Sequence, residues 1–320
     1  MLPRTLLAHL PTPLESLPRL SSQLGIRLLI KRDDQTGLFL GGNKTRKLEF
    51  LLAEAQANGA KTLITAGAVQ SNHCRQTAAA AARAGLGCVL VLAGEPPATP
   101  QGNYLLDGLL NAEIVWARDF AERDAVLQAA FQRLWEAGKR PYLIPYGGSN
   151  PVGAAAYALA FDELLLQTDA PDWVVFASSS GGTHAGLTLG ARRRGATTRV
   201  LGISVDETQA VLQARVANLA NRTADLLGER LHWQPEEILV NADFLGGGYG
   251  VLGAPEVEAI RRFARLEAIL LDPVYTGRAA AGLLALARTG AFASGETVVF
   301  WHTGGAPAVF AEKYAAHGLV

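Results

Sequence analysis

Residues 173–186, Trp-Val-Val-Phe-Ala-Ser-Ser-Ser-Gly-Gly-Thr-His-Ala-Gly, run from an apolar β-branched stretch through three serines and two glycines into a helical pattern. Strand, turn and helix in that order form the repeating unit of a parallel sheet, because parallel neighbours need a crossover between them. Such a turn aims unpaired backbone amides and the positive end of a helix dipole at one point. Glycine there lets the backbone approach an anion closely. Ser179, Ser180, Gly181, Gly182 and Thr183 therefore read as a cup of neutral donors suited to a phosphate monoester. A tight turn with a serine cap would be written in the same letters, so further segments have to decide.

Outward from this stretch, short β-branched runs alternate with longer helical patterns from about residue 27 onward, which predicts an α/β fold of open, mostly parallel sheets flanked by helices. Strands are expected at 27–32, 62–66, 88–92, 142–145, 173–177, 200–205, 269–271 and 298–302. The spacing of Leu48, Leu51, Leu52 and Ala55 predicts a helix over 44–58 ended by Gly59. Glycine turns recur at Gly41-Gly42-Asn43, Gly147-Gly148-Ser149-Asn150, Gly181-Gly182-Thr183, Gly246-Gly247-Gly248 and Gly304-Gly305, where strands hand over to helices. In open α/β sheets ligands bind beyond the carboxyl ends of strands, so these turns should converge. The 95–100 stretch, rich in proline, reads as a loop. With 320 residues the chain is long enough for two lobes and a cleft between them. We expect a large lobe from 1–46 and 156–320, with a smaller one, 47–155, inserted.

A net charge of +0 with 18% charged residues offers no general attraction for nucleic acid or anionic lipid. No apolar run reaches membrane-spanning length, and His9, Pro11 and Pro13 break up the opening stretch, so neither an anchor nor an export signal is expected. Two cysteines, Cys74 and Cys88, suit reduced thiols in the cytoplasm better than a disulfide framework. No His, Cys, Asp or Glu cluster has metal-ligand spacing, and the Gly-x-Ser-x-Gly elbow of serine hydrolases is absent.

The second informative segment is Gly41-Gly42-Asn43-Lys44-Thr45-Arg46-Lys47-Leu48-Glu49. A lysine at a positive helix terminus near an anion cup has its ammonium form disfavoured, and the neutral amine is the form that attacks an aldehyde. By residue type either Lys44 or Lys47 could be that amine, while Lys47 and Arg46 also suit a solvated helix face. A dinucleotide site is the rival reading, since Asp206 follows the cup at a suitable distance. Thr183, however, would occupy the middle position of the required Gly-x-Gly-x-x-Gly, where a side chain blocks the pyrophosphate.

Together with Gly67-Ala68-Val69-Gln70-Ser71-Asn72-His73, Asp272-Pro273-Val274-Tyr275-Thr276-Gly277 and His302-Thr303-Gly304-Gly305, the Lys44 segment closely resembles the family of D-cysteine desulfhydrases and 1-aminocyclopropane-1-carboxylate deaminases. The likeness runs in order along nearly the whole chain. It implies the tryptophan-synthase-β-like fold type II and pyridoxal 5'-phosphate as cofactor, held by Lys44 as a Schiff base with its phosphate in the 180–183 turn. Ser71 and Asn72 match the loop receiving the substrate carboxylate, with Asn72 also near the cofactor's phenolic oxygen. Gln70 and His73 flank that loop, although a histidine satisfied by local hydrogen bonds is the plainer role for His73. His184 and His302 read as structural. Tyr275 and Tyr249 match active-site tyrosines, and a homodimer is implied.

Two positions depart from the family pattern. Ser179 stands where many members have glycine, a change that tightens the cup and keeps its donors. Thr276 occupies the place where cyclopropane-opening deaminases carry an acid facing the pyridine nitrogen, and Thr303 offers a second neutral hydroxyl to the ring. A hydroxyl supports a pyridinium less than a carboxylate does, so the ring becomes a weaker electron sink. That favours β-elimination of a good leaving group from a small amino acid, D-cysteine first, over opening a carbon ring. L-cysteate sulfo-lyase and cyclopropane deaminase are the alternatives among enzymes, and a cofactor- or metabolite-binding protein without turnover is the alternative outside them.

Overall fold

The computed structural model describes residues 2–315, so residues 1 and 316–320 of the expected large lobe lie outside it. Among the described residues, ten strands form two sheets. The first draws on β1 (Leu14–Ser16), β2 (Arg27–Arg32), β7 (Trp173–Ser178), β8 (Arg199–Ser204), β9 (Leu239–Asn241) and β10 (Thr297–His302), in the order β1-β2-β10-β7-β8-β9. The second uses β3 (Thr62–Ala68), β4 (Gly87–Ala93), β5 (Glu113–Ala117) and β6 (Pro141–Leu143), in the order β5-β4-β3-β6. Every pairing is parallel except β1 with β2. The central strands are buried on both faces, as in the burial of Val174, Val175 and Phe176 or of Val298, Val299 and Phe300, which is why they read as continuous apolar runs.

Seven of the eight expected strands are present. The exception is 269–271, where Ile269 and Leu271 are buried in irregular chain that joins no ladder. Helix Ala254–Glu267 ends with Ala268 in the left-handed region at φ 55°, and the short apolar run beyond it only carries the chain across the core to Asp272. The sequence reading lacked β1 and β9, three residues each, and the half-buried edge strand β5. Strands this short show no period-2 pattern.

The helix predicted over 44–58 spans Lys44–Ala57, with Leu48, Leu51, Leu52 and Ala55 fully buried. Its polar side is buried as well, contrary to the solvated face expected for Arg46 and Lys47. The helix is wedged against both Asn72–Arg83 and Pro151–Leu165, so its charges need protein partners. Arg46 is held by Asp33 and Glu163 at 2.8 Å each, and Asp33 also accepts from Tyr157 at 2.6 Å and Trp301 at 2.8 Å. Those carboxylates push the Arg46 guanidinium pKa up against the effect of burial, and bonds from Arg46 and Lys31 lower Glu163 to about 2. The network pins this helix to β2 and β10, which fixes where Lys44 starts.

Two further helices, Pro151–Leu165 and Gly182–Arg193, approach closely through small residues. A Cβ on Gly186 would lie 2.2 Å from the Ala154 carbonyl oxygen and 2.4 Å from Tyr157 Cβ. Among the described residues no helix is long and apolar enough to cross a membrane.

Candidate active site

The loops that leave β3, β6, β7 and β10 at their carboxyl ends meet at one place between the two sheets, together with the Gly41-Gly42 turn. Together they line a single pocket. Lys44, Ser71, Asn72, His73, Ser179, Ser180, Gly181, Thr183, Tyr275 and Thr303 are all in its wall. No carboxylate lines it among the described residues.

Lys44 is half-buried, and desolvation lowers its amine to about 8, opposed by a hydrogen bond to Lys47 and the charge of Asp206. Lys47 is driven down further, by burial first and then by the charge of Lys44. Two desolvated amines in contact cannot both hold a proton cheaply. Lys47 Nζ is also bonded to the Gly147 carbonyl at 3.1 Å and reaches Ser149 Oγ at 3.3 Å, while Lys44 is the one of the two that lines the cavity.

The cup itself forms where β7 ends. Gly181 turns the chain at φ 87°, and the first amides of helix Gly182–Arg193 have no intrahelical acceptors. The Gly182 amide donates to Ser149 Oγ at 3.1 Å, and that hydroxyl is 2.8 Å from Ser180 Oγ. Ser179 donates to Asp206 at 2.6 Å, so the acid considered above for a ribose instead supports the turn. Asn43 Nδ2 bonds Thr183 Oγ1 at 3.0 Å, tying the lysine turn to the cup. A Cβ on Gly147 would sit 2.2 Å from Ser180 Oγ and 3.4 Å from Lys44 Nζ, so glycine leaves that wall open. Hydroxyls, helix amides and a desolvated amine, in a wall that itself carries no carboxylate, fit an aldehyde with a phosphate tail.

Opposite the cup, Ser71 caps helix Asn72–Arg83 by accepting from the Cys74 amide at 3.2 Å, which leaves its hydroxyl hydrogen for a ligand. His73 Nε2 lies 2.9 Å from Thr65 Oγ1, whose own hydrogen goes to the Ile144 carbonyl. Nε2 is therefore the donor, and burial, followed by the charges of Lys44 and Lys47, keeps the ring neutral. His302 uses both ring nitrogens on backbone, at Leu270 and Gly304, and His184 meets Ser178.

Tyr275 lines the cavity, and its hydroxyl is 2.6 Å from that of Tyr249, which stands behind it. Burial, then neighbouring phenols, pushes both pKa values well up, so both phenols keep their protons. Buried Arg278 bonds the carbonyls of Gly248 and Val251 and so holds the glycine loop that carries Tyr249.

Two expected contacts lie elsewhere. Thr276 is outside the cavity wall, its hydroxyl given to Asp272 Oδ1 at 2.7 Å while accepting from the Asp272 amide. Asp272 thereby closes the turn that aims Tyr275, and Thr303 is the threonine at the cavity. Gln70 is likewise turned away, spending both ends of its amide on Gln101 and Asn103. Sequence reasoning overlooked Asn43, Tyr146 and Ser149. Ser149 stands within one of the glycine turns, as Asn43 does, without a role given to it, while no pattern marks Tyr146, which burial and Asp206 push up to about 12.

Comparison with known proteins agrees with this geometry. A curated D-cysteine desulfhydrase of Salmonella choleraesuis (strain SC-B67) is 44% identical over 318 residues, covering 97% of this chain and 96% of that one. The crystal structure of a homologue of ACC deaminase superposes with TM-score 0.92 at 39% identity, over 100% of this chain and 97% of the other. Threonine deaminase isoform 2 from Solanum lycopersicum shares the fold, with TM-score 0.67 at 17% identity over 92% and 83% of the two chains. The family model described as pyridoxal-phosphate dependent enzyme matches residues 5–304. With its fold of type II and a half-buried lysine facing a hydroxyl-lined cup, the chain belongs to the pyridoxal-phosphate-dependent enzymes.

Proposed function

We propose that the protein catalyses β-elimination from D-cysteine, giving pyruvate, ammonia and hydrogen sulfide. The observation that carries this reading is the cavity wall without a carboxylate, which would offer a bound ring nitrogen only neutral groups such as the Thr303 hydroxyl. The activity named for the 44% identical relative agrees with it. When bound, pyridoxal phosphate supplies the aldehyde that captures the substrate amine and a ring that draws charge from Cα. Lys44 holds the cofactor and, once released and neutral, takes the proton from substrate Cα. Ser71 and Asn72 would receive the substrate carboxylate beside neutral His73, and Asn72 would also serve the cofactor's phenolic oxygen. Ser179 to Thr183 hold the phosphate. Tyr275, backed by Tyr249, is protonated and donates to the departing sulfur. Work in the cytoplasm fits the two buried, unpaired thiols. We also propose a homodimer, and lobes divided at 46/47 and 155/156, supported by the second sheet drawing all its strands from 62–143.

The test is a parallel assay of purified enzyme with D-cysteine, L-cysteate and 1-aminocyclopropane-1-carboxylate. Sulfide and pyruvate released together from D-cysteine is the expected outcome. Turnover of cysteate without sulfide from D-cysteine would place the enzyme with the sulfo-lyases. Ring opening would favour the deaminase reading, for which the structural likeness at TM-score 0.92 speaks. Uptake of cofactor with release of no keto acid would leave only a binding role.

A further inference from the structure

Asn103 is fully buried in helix Gly102–Leu109 and has no place in the cavity wall, yet every polar atom of its side chain is committed. Its Oδ1 accepts from Arg75 Nε at 2.9 Å, and its Nδ2 donates to the Gln70 carbonyl at 3.0 Å and to Asn72 Oδ1 at 2.9 Å. Both ends of this arrangement have fixed polarity. A guanidinium can only donate and a backbone carbonyl can only accept, so the Asn103 amide has a single workable orientation. That orientation occupies Asn72 Oδ1 and leaves Nδ2 as the free donor of a side chain that lines the cavity, with Gly305 giving it room: a Cβ on Gly305 would lie 2.8 Å from Nδ2. Arg75 is locked in turn by the carbonyls of Phe39 and Gly41, in the turn that leads to Lys44.

We propose that Asn103, oriented by Arg75 and the Gln70 carbonyl, is a positioning residue that sets the Asn72 amide so that an N–H, never an oxygen, meets the cofactor's phenolic oxygen. This rests on the role of Asn72 given under Proposed function. An N–H donated to the phenolate spreads its charge and weakens its hold on the neighbouring Schiff-base proton. An amide oxygen in its place would have the opposite effect.

The test is the pH at which the yellow absorbance of the loaded enzyme titrates, measured in wild type, Asn103→Asp, Asn72→Ala and the double variant. The aspartate keeps its bond to Arg75 but turns an oxygen on Asn72 Oδ1, so the Asn72 amide must rotate. Asn103→Asp should raise the titration point by about one pH unit, the equivalent of one hydrogen bond to a charged oxygen. No further rise should appear in the Asn72→Ala background. If Asn72→Ala shifts the titration and folded Asn103→Asp does not, or if Asn103→Asp shifts it equally in both backgrounds, the relay is overturned. No shift in Asn72→Ala itself overturns the role of Asn72 instead, and the relay with it. Should Asn103→Asp fail to fold, Asn103→Ala frees the same amide and should shift the titration in the same direction.

Discussion

At the scale of single residues, the chemistry depends on where a proton sits. Lys44 can act as a base near neutral pH because burial removes the water that would stabilise its ammonium, and the lowered value of about 8 measures what remains after Lys47 and Asp206 partly restore it. Only the unprotonated amine accepts a proton from Cα, so kcat for elimination should rise with pH through roughly 8 and then level off. A kcat–pH profile that falls across this region would assign the base elsewhere. Lys44 was legible as a reactive amine from its glycine turn and helix start, but the residues alone could not separate it from Lys47. Lys44 lines the cavity and Lys47 does not, while Lys47 reaches the Gly147 carbonyl and Ser149. No spacing rule reports which of two lysines three apart faces a cavity. Asn103 was invisible for a related reason, since its partners lie about thirty positions away along the chain.

At the scale of elements, β-branched runs and glycine turns told enough to place the central strands, because strands buried on both faces are apolar throughout. The edge strands β1, β5 and β9 and the charged side of helix Lys44–Ala57 were not legible. Partners such as Asp33 and Glu163 come from distant segments, and a charge pattern alone reads as solvated. The contact between helices Pro151–Leu165 and Gly182–Arg193 makes a quantitative expectation possible. Gly186→Ala would gain about 1 kcal/mol in helix propensity, but it drives a methyl to 2.2 Å from a backbone carbonyl that cannot yield without separating the helices. We expect a net loss of about 2 kcal/mol in urea unfolding. Gly108→Ala, where nothing lies within 4 Å, should instead be neutral or gain up to about 1 kcal/mol. Equal effects at the two sites would contradict the packing described.

For the whole molecule, the active site is a property of two sheets meeting, with β3, β6, β7 and β10 all delivering their carboxyl ends to one cavity. The sequence showed that glycine turns of one polarity should converge. It could not show that Thr276 would be used by Asp272, or Gln70 by the 101–103 segment, because those choices depend on how loops far apart in sequence come together. The central claim is that this convergence selects one amine, Lys44, out of all those in the chain. Borohydride reduction of the loaded enzyme, followed by mass mapping of its peptides, tests it directly. The added mass should fall on Lys44, with Lys31, Lys47, Lys61, Lys139 and Lys313 unmodified. Cofactor mass on Lys47, or on any of the others in place of Lys44, would contradict the account.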